Sequence, residues 1–154
     1  MLSRFGSGAS VLDAWLTEHA KHAQAMRTAQ TFVWHVGDDR VIAYFSLAAH
    51  LLVRSDLPKK IGRGSPATIP AVLLARLALD SSLRGEGLGG ELLWDALTRA
   101  AAAAEIAAAR GVVVDAIDDE AAGFYRHHGF APMPGNPNRL VQKMSDIAAA
   151  LGGG

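Results

Sequence analysis

The 154-residue chain contains no cysteine. That absence excludes disulfides, thiolate metal sites and a cysteine acyl-enzyme together. Net charge is absent too, with 15 Lys and Arg against 15 Asp and Glu. Bulk electrostatics therefore neither demand nor exclude a polyanionic partner, and any such site has to be a local patch. The opening residues, MLSRFGSGAS, lack the apolar core of a signal peptide. The most apolar later stretch, Ala100 to Ala109, is interrupted by Glu105 and is too short to span a bilayer. A cytoplasmic protein without membrane contact is expected. Half of the residues are apolar, and the length suits one domain with a real core. That domain is expected over 1–146, followed by a loose tail over 147–154.

Val11 to Ala29 carries a helical pattern, with Asp13 and Glu18 early and Lys21 and Arg27 late, as the helix dipole favours. TFVWHV reads as a strand, GDD as a hairpin turn and RVIAYFSLAAHLLV as the partner strand. Residues 54–66, RSDLPKKIGRGSP, form a polar loop with four basic residues against one acidic. ATIPAVLLARLAL is a near-continuous apolar run, suited to a strand buried on both faces. A long helix is expected from Leu88 to Arg110, with Leu92, Leu93, Ala96, Leu97, Ala100, Ala103 and Ala104 on one stripe and Gly111 as its stop. VVVDAI is then a strand, DDEAAGFYRHH a helix, and RLVQKM a last strand after a Pro-rich turn. The order yields an α/β fold: a mixed sheet around one right-handed βαβ unit, with flanking helices.

The stretch SSLRGEGLGGELLWDAL places four glycines and Arg84 at the entrance to the long helix. A glycine-rich turn into a helix directs several unpaired backbone N–H groups at one point, where the macrodipole adds partial positive charge. That is an anion site, and phosphate is its usual occupant. Gly85, Gly87, Gly89 and Gly90 permit close backbone approach, and Arg84 can add a charge-assisted fork. By spacing alone, phosphate binding and an ordinary strand-to-helix turn weigh about equally. A Walker A loop is excluded, because Gly89 is followed by Gly90 and Glu91 rather than Lys and Ser or Thr. GEGLGG matches the dinucleotide fingerprint formally, yet no strand with a ribose-binding acid follows at the required distance.

Arg84-Gly85-Glu86-Gly87-Leu88-Gly89 resembles the Arg/Gln-x-x-Gly-x-Gly/Ala signature of the GNAT superfamily of N-acetyltransferases, and AAGFYRHHGF resembles its Ala-x-x-Phe-Tyr-x-x-x-Gly-Phe block. LDAWLTEHA, TFVW, YFSLA, LARLALD and GFAPMPGNPNRLVQKM are similar to the TacT-like acetyltransferase toxins of toxin–antitoxin pairs. The resemblance implies a central sheet splayed at the acetyl-CoA site, and an initial strand curtailed at the shorter N-terminus. It implies transfer of acetyl from acetyl-CoA to the α-amine of aminoacyl-tRNA, inhibition of translation, a ribbon-helix-helix antitoxin and a homodimer. Two rival readings stand beside it. One is a GNAT enzyme for a small-molecule or protein amine; the other is a non-catalytic acyl-CoA-binding module held by a partner.

By the same resemblance, Leu77, Ala78 and Leu79 pair with the pantetheine arm, Arg84 with Gly85, Gly87, Leu88, Gly89 and Gly90 grips the pyrophosphate, and Phe124 lines the cofactor. Tyr125 is the implied acid for the departing thiolate. A phenol near pKa 10 is protonated at neutral pH, and such proton donation contributes ~10²–10⁴-fold. No dedicated base stands out, since an amine beside an activated ester is already largely neutral. His50, His127 and His128 are the histidines within reach of assisting, although the last two close a helix C-terminus, where positive charge is welcome. His19 and His22 lack a third ligand, so no metal site is expected. Where many family members carry Asn, seven residues before the tyrosine, this chain has Asp118, whose carboxylate suits a helix cap. Candidate cations for tRNA phosphates are Arg54, Lys59, Lys60 and Arg63 clustered in one loop, Arg76 in an otherwise apolar strand, and Arg126, Arg139 and Lys143 following the tyrosine.

Overall fold

The computed structural model describes residues 29–36, 40–83, 85 and 87–152, the side chains of Val36, Ile106 and Ala107 excepted. Residues 11–28 of the expected first helix, the GDD turn, Arg84, Glu86, His19 and His22 lie outside the described residues. Strand β1 spans Gln30–Val36 and β2 spans Arg40–Val53. A one-turn helix α1 (Lys59–Gly62) precedes β3 (Thr68–Leu79). Helix α2 (Leu88–Ala107), β4 (Gly111–Asp115), α3 (Asp119–His127), β5 (Ala131–Met133), β6 (Asn136–Lys143) and α4 (Met144–Gly152) complete the chain. The six strands lie in the order β1-β2-β3-β4-β6-β5, a mixed sheet as expected. β3 and β4 are parallel, while β1–β2, β4–β6 and β5–β6 are antiparallel.

Two compact units share these elements. The described residues up to Ala48 form the first, together with Ala75–Ala96. There, β1 and β2 pair from Gln30↔Leu47 to Val36↔Arg40, with an irregularity between Trp34 and His35. Phe32 stacks on Phe45 at 5.2 Å between ring centroids. The Trp34 indole N–H donates to Asp95 of α2 at 2.9 Å, which gives a tryptophan in this strand both an apolar bed and a polar anchor. Val41, Ala43, Tyr44 and Phe45 are fully buried, the pattern of a strand covered on both faces.

Ala49–Leu74 and the residues from Leu97 onward form the second unit. Its spine is β4, which pairs with β3 over Val72↔Val112 to Leu74↔Val114 and with β6 over Gly111↔Lys143 to Asp115↔Arg139. Val112, Val113 and Val114 are wholly buried. Leu52, Leu57, Ile69, Ala71, Val113, Met133 and Val141 form one apolar cluster.

Several local expectations need correction. The expected 54–66 loop contains the 3-10 turn Arg54–Asp56 and α1, because Leu57 is buried and draws the segment inward. α2 ends at Ala107 rather than running to Arg110, and Ala108 takes the left-handed terminal position at φ 56°. Gly111 is the first residue of β4, where an added Cβ would meet the Gln142 carbonyl at 3.2 Å. Ala103 is exposed rather than on the buried stripe. The expected loose tail is instead helical: α4 carries Ile147 at 1% exposure and packs on β6 and β4. Its alanine run is strongly helix-forming, and one buried isoleucine suffices to dock it. β5 is a further three-residue strand that the Pro-rich turn had concealed. No described helix is long and apolar enough to cross a membrane.

Candidate active site

The end of β3, the turn after it and the start of α2 lie in the first unit. Arg76, Leu77 and Leu79 are half-buried, while Ala78 is buried. The Arg76 guanidinium is partly buried, and its Nη1 donates to the Ala75 carbonyl at 2.9 Å. Sequence reasoning passed over Asp80, which is 6% exposed and sets the turn. Its backbone N–H donates to the Ile42 carbonyl at 2.7 Å. Its Oδ1 accepts from the Ser82 backbone N–H at 3.0 Å and the Ser82 hydroxyl at 2.8 Å, with the Arg40 Nη2 at 3.8 Å. The signal was present as Asp-Ser-Ser, a side chain suited to binding its own backbone two residues on.

The four glycines divide into two pairs. Gly85 at φ 84° and Gly87 at φ 78° occupy the left-handed region, which side-chain-bearing residues resist. A Cβ added at either would meet nothing within 4 Å, so the bare backbone faces open space. Gly89 and Gly90 belong to the first turn of α2, whose N–H groups have no intrahelical acceptor. The arrangement presents free main-chain donors at the positive end of a 20-residue helix, which suits a diphosphate.

Helix α3 lies in the second unit. Asp118 is its N-cap, accepting from the Ala121 N–H at 2.8 Å, so the carboxylate performs the capping role its position suggested. Gly129 at φ 96° ends the helical segment. Tyr125 is 6% exposed, set edge-on against Phe124 at 5.4 Å and Phe130 at 5.7 Å. Burial holds its hydroxyl well above the ordinary phenol value of about 10. The phenol therefore stays protonated throughout the physiological range.

A stability effect follows at alkaline pH. Above about pH 10 the unfolded chain releases this proton while the folded chain keeps it. The native state then binds more protons, so stability falls as pH rises, by about 1.4 kcal/mol per pH unit for one group. Tyr125→Phe is expected to remove that share of the alkaline slope. Urea-unfolding midpoints taken between about pH 9 and pH 11 check this, and an unchanged slope contradicts it.

Among the candidate cations of this unit, Arg54, Lys59, Lys60 and Arg126 are exposed, and Arg54 Nη1 donates to the Ser65 carbonyl at 2.8 Å. Arg139 differs from them. Its Nε lies 3.2 Å from Asp115 Oδ1, an ion pair without hydrogen-bond alignment, and its Nη2 lies 3.3 Å from His50 Nε2. A guanidinium only donates, so His50 Nε2 accepts and the neutral ring carries its proton on Nδ1. Burial first, then the Arg139 charge, lower the His50 pKa, while Asp115 opposes them. His50 is thus neutral at pH 7, but its Nε2 lone pair is engaged, which argues against a base there. Asp115→Asn is expected to lower the His50 pKa further and Arg139→Gln to raise it, read from the imidazole proton titration by NMR. Invariance in both variants would show the cluster to be incidental.

His128 also departs from expectation. Burial, and then neighbouring His127, lower its pKa, so the helix end does not hold it charged as anticipated. Its ring lies 4.7 Å from Phe124.

The Acetyltransferase (GNAT) domain family matches residues 27–132. A tRNA-acetylating toxin of Mycobacterium tuberculosis (strain ATCC 25618 / H37Rv) is 35% identical over 151 residues, covering 98% of this chain and 90% of that protein. The solved structure of AtaT complexed with acetyl-methionyl-tRNAfMet is 29% identical, with a TM-score of 0.89 over 97% of this chain and 91% of that one. A Tyr-to-Phe variant of the AtaT toxin, bound to the C-terminus of the antitoxin AtaR and acetyl-CoA, is 28% identical with a TM-score of 0.83, covering 97% and 89%. The mixed sheet agrees with these likenesses in fold, and the chain belongs to the GNAT acetyltransferases.

Proposed function

We propose that this protein is a toxin-type N-acetyltransferase that moves the acetyl group of acetyl-CoA onto the α-amine of aminoacyl-tRNA and thereby blocks translation. The observation that carries the reading is the 35% identity to a tRNA-acetylating toxin across 98% of the chain. The chain acts as one acetyltransferase domain that includes α4, the active form is a homodimer, the site of action is the cytoplasm, and a ribbon-helix-helix antitoxin neutralises it. The AtaT structure bound to the C-terminus of an antitoxin supports an antitoxin as partner.

In this reading Arg84 and the backbone N–H groups of Gly85, Gly87, Leu88, Gly89 and Gly90 hold the pyrophosphate. β3 pairs with β4 up to Leu74, and its continuation through Leu77, Ala78 and Leu79 offers backbone groups to the pantetheine arm of acetyl-CoA where the sheet splays. Phe124 covers the cofactor. The amine nitrogen attacks the thioester carbon, the carbon–sulfur bond breaks, and Tyr125 donates its hydroxyl proton to the departing sulfur. The proton lost by the attacking nitrogen restores the phenol, so the net transfer runs from amine to thiol. A phenol kept protonated by burial is a standing donor for that step. Arg54, Lys59, Lys60, Arg76, Arg126 and Arg139 contribute cationic contacts to the nucleic acid, with Arg139 weakened in that role by Asp115.

Incubation with radiolabelled acetyl-CoA and a charged tRNA pool tests the reading. Label on aminoacyl-tRNA supports it. Label confined to polyamines or peptides moves the chain to a small-molecule or protein-amine acetyltransferase, and binding without turnover leaves an acyl-CoA-binding module.

A further inference from the structure

A cavity of about 360 Å³ opens in the second unit at the start of β4, the end of that strand away from the Asp118 cap and the tyrosine helix. Its floor is the apolar cluster itself, through Leu52, Leu57, Ile69 and Val141, each 5% exposed or less. Around this floor stand Arg63, Arg110 and Lys143, with Ser65 and Ser145 between them. Among the described residues that line it, none is an acid and none is aromatic.

The rim is built rather than incidental. Arg110 is anchored on both sides, donating its backbone N–H to the Pro70 carbonyl at 2.8 Å and accepting from the Met144 N–H at 2.9 Å. Arg63 closes α1, its N–H donating to the Lys59 carbonyl at 3.1 Å. The Ser65 N–H donates to the Gly62 carbonyl at 3.1 Å. Lys143 is placed by its pairing with Gly111. Long cationic stems commonly lie over apolar surface with their heads in water. That habit accounts for single cations but not for three of them lining one cavity with no carboxylate among its described lining residues, a charge balance that favours an anion.

We propose that this cavity is a second binding site, for a small organic anion with a phosphate or carboxylate head and a short aliphatic body. The head is held by Arg63, Arg110 and Lys143 with the serine hydroxyls, and the body rests on Leu52, Leu57 and Ile69. A volume of this size is that of a small-ligand pocket. A nucleobase is disfavoured, because none of the described lining residues offers a ring on which it can stack. The site is separate from acetyl transfer and stands whichever amine is the acceptor.

Backbone amide NMR of the full chain, titrated with hexyl phosphate, hexanoate, inorganic phosphate and hexanol, tests this. Hexyl phosphate or hexanoate is expected to move the Arg110, Gly111 and Ser145 amides. The tighter of the two names the head, and either result supports the site. Inorganic phosphate is expected to bind the same amides at least ten-fold more weakly, since each buried methylene contributes about four-fold. Hexanol is expected to leave them unmoved. Arg63→Ala and Lys143→Ala are each expected to weaken binding about ten-fold, the usual effect of losing one charge-assisted contact. Should Lys143→Ala fail to fold, the exposed Arg63 carries the test. Equal affinity for inorganic and hexyl phosphate, insensitivity to Arg63→Ala, or shifts confined to residues 81–90 would overturn the proposal. An oligouridylate that moves the same amides more tightly than hexyl phosphate would do so as well, by assigning the rim to RNA.

Discussion

Tyr125→Phe is expected to lower the acetyl-transfer rate by ~10²–10⁴-fold while leaving acetyl-CoA affinity unchanged. The substitution removes one oxygen and keeps the ring, so the edge-on contacts to Phe124 and Phe130 persist and the fold is retained. What disappears is a donor whose proton is held by burial far above neutral pH. Such a group does not need to ionise on its own. It needs only to pass its proton to a developing thiolate and recover one from the attacking nitrogen, so the loss falls on turnover and not on binding. The measurements are single-turnover kinetics beside calorimetric binding of acetyl-CoA. A large loss of affinity with intact turnover would assign the tyrosine to packing and dismiss the acid role. No rate-limiting ionisation of this phenol is expected in the pH–rate profile below about pH 10.

Gly87→Val is expected to weaken acetyl-CoA binding by roughly 10–100-fold, the worth of one or two charge-assisted main-chain hydrogen bonds. Gly87 sits at φ 78°, and a β-branched side chain there strains the backbone by about 1–2 kcal/mol or more. In the free protein the added carbon meets nothing within 4 Å, so strain rather than collision is the cost to stability. With coenzyme bound, the same carbon occupies the space proposed for the diphosphate. Gly135 provides the matched control, having the same φ of 78° and an equally open surround in the turn between β5 and β6. Gly135→Val is expected to destabilise the fold comparably and to leave coenzyme binding intact. If both variants lose affinity alike, the effect is one of general stability and the glycine turn is not the grip.

Much of the fold was legible along the chain, and the reason is local. β2 was bounded correctly by its apolar run, and the start of α2 by its glycines. The Asp118 cap needed only a short polar side chain ahead of an acidic first turn. Asp80 is equally legible in principle, since its bonds reach the serine two residues on. The end of α2 was misplaced because a glycine stop is the commoner device, and here Ala108 takes the left-handed position instead. α4 combines an alanine run that favours helix with terminal glycines that do not, and the packing of Ile147 decides for the helix.

Other features had no local signature. β5 is three residues with a proline at its centre, and it is a strand only because β6 lies beside it. Arg139 reads in sequence as one more surface cation. Strand register sets it against Asp115 and brings His50 to its other side, turning a free charge into a shared one.

The sequence by itself determined the order of the elements, the bare-backbone turn before α2 and the tyrosine on a capped helix, because propensity, capping and glycine conformations act over a few residues. Tertiary structure alone decided that Tyr125 is buried enough to stay protonated, that Arg139 is tied to Asp115 and that Arg63, Arg110 and Lys143 share one mouth. Burial and charge proximity depend on residues far apart in the chain, and only folding brings those together.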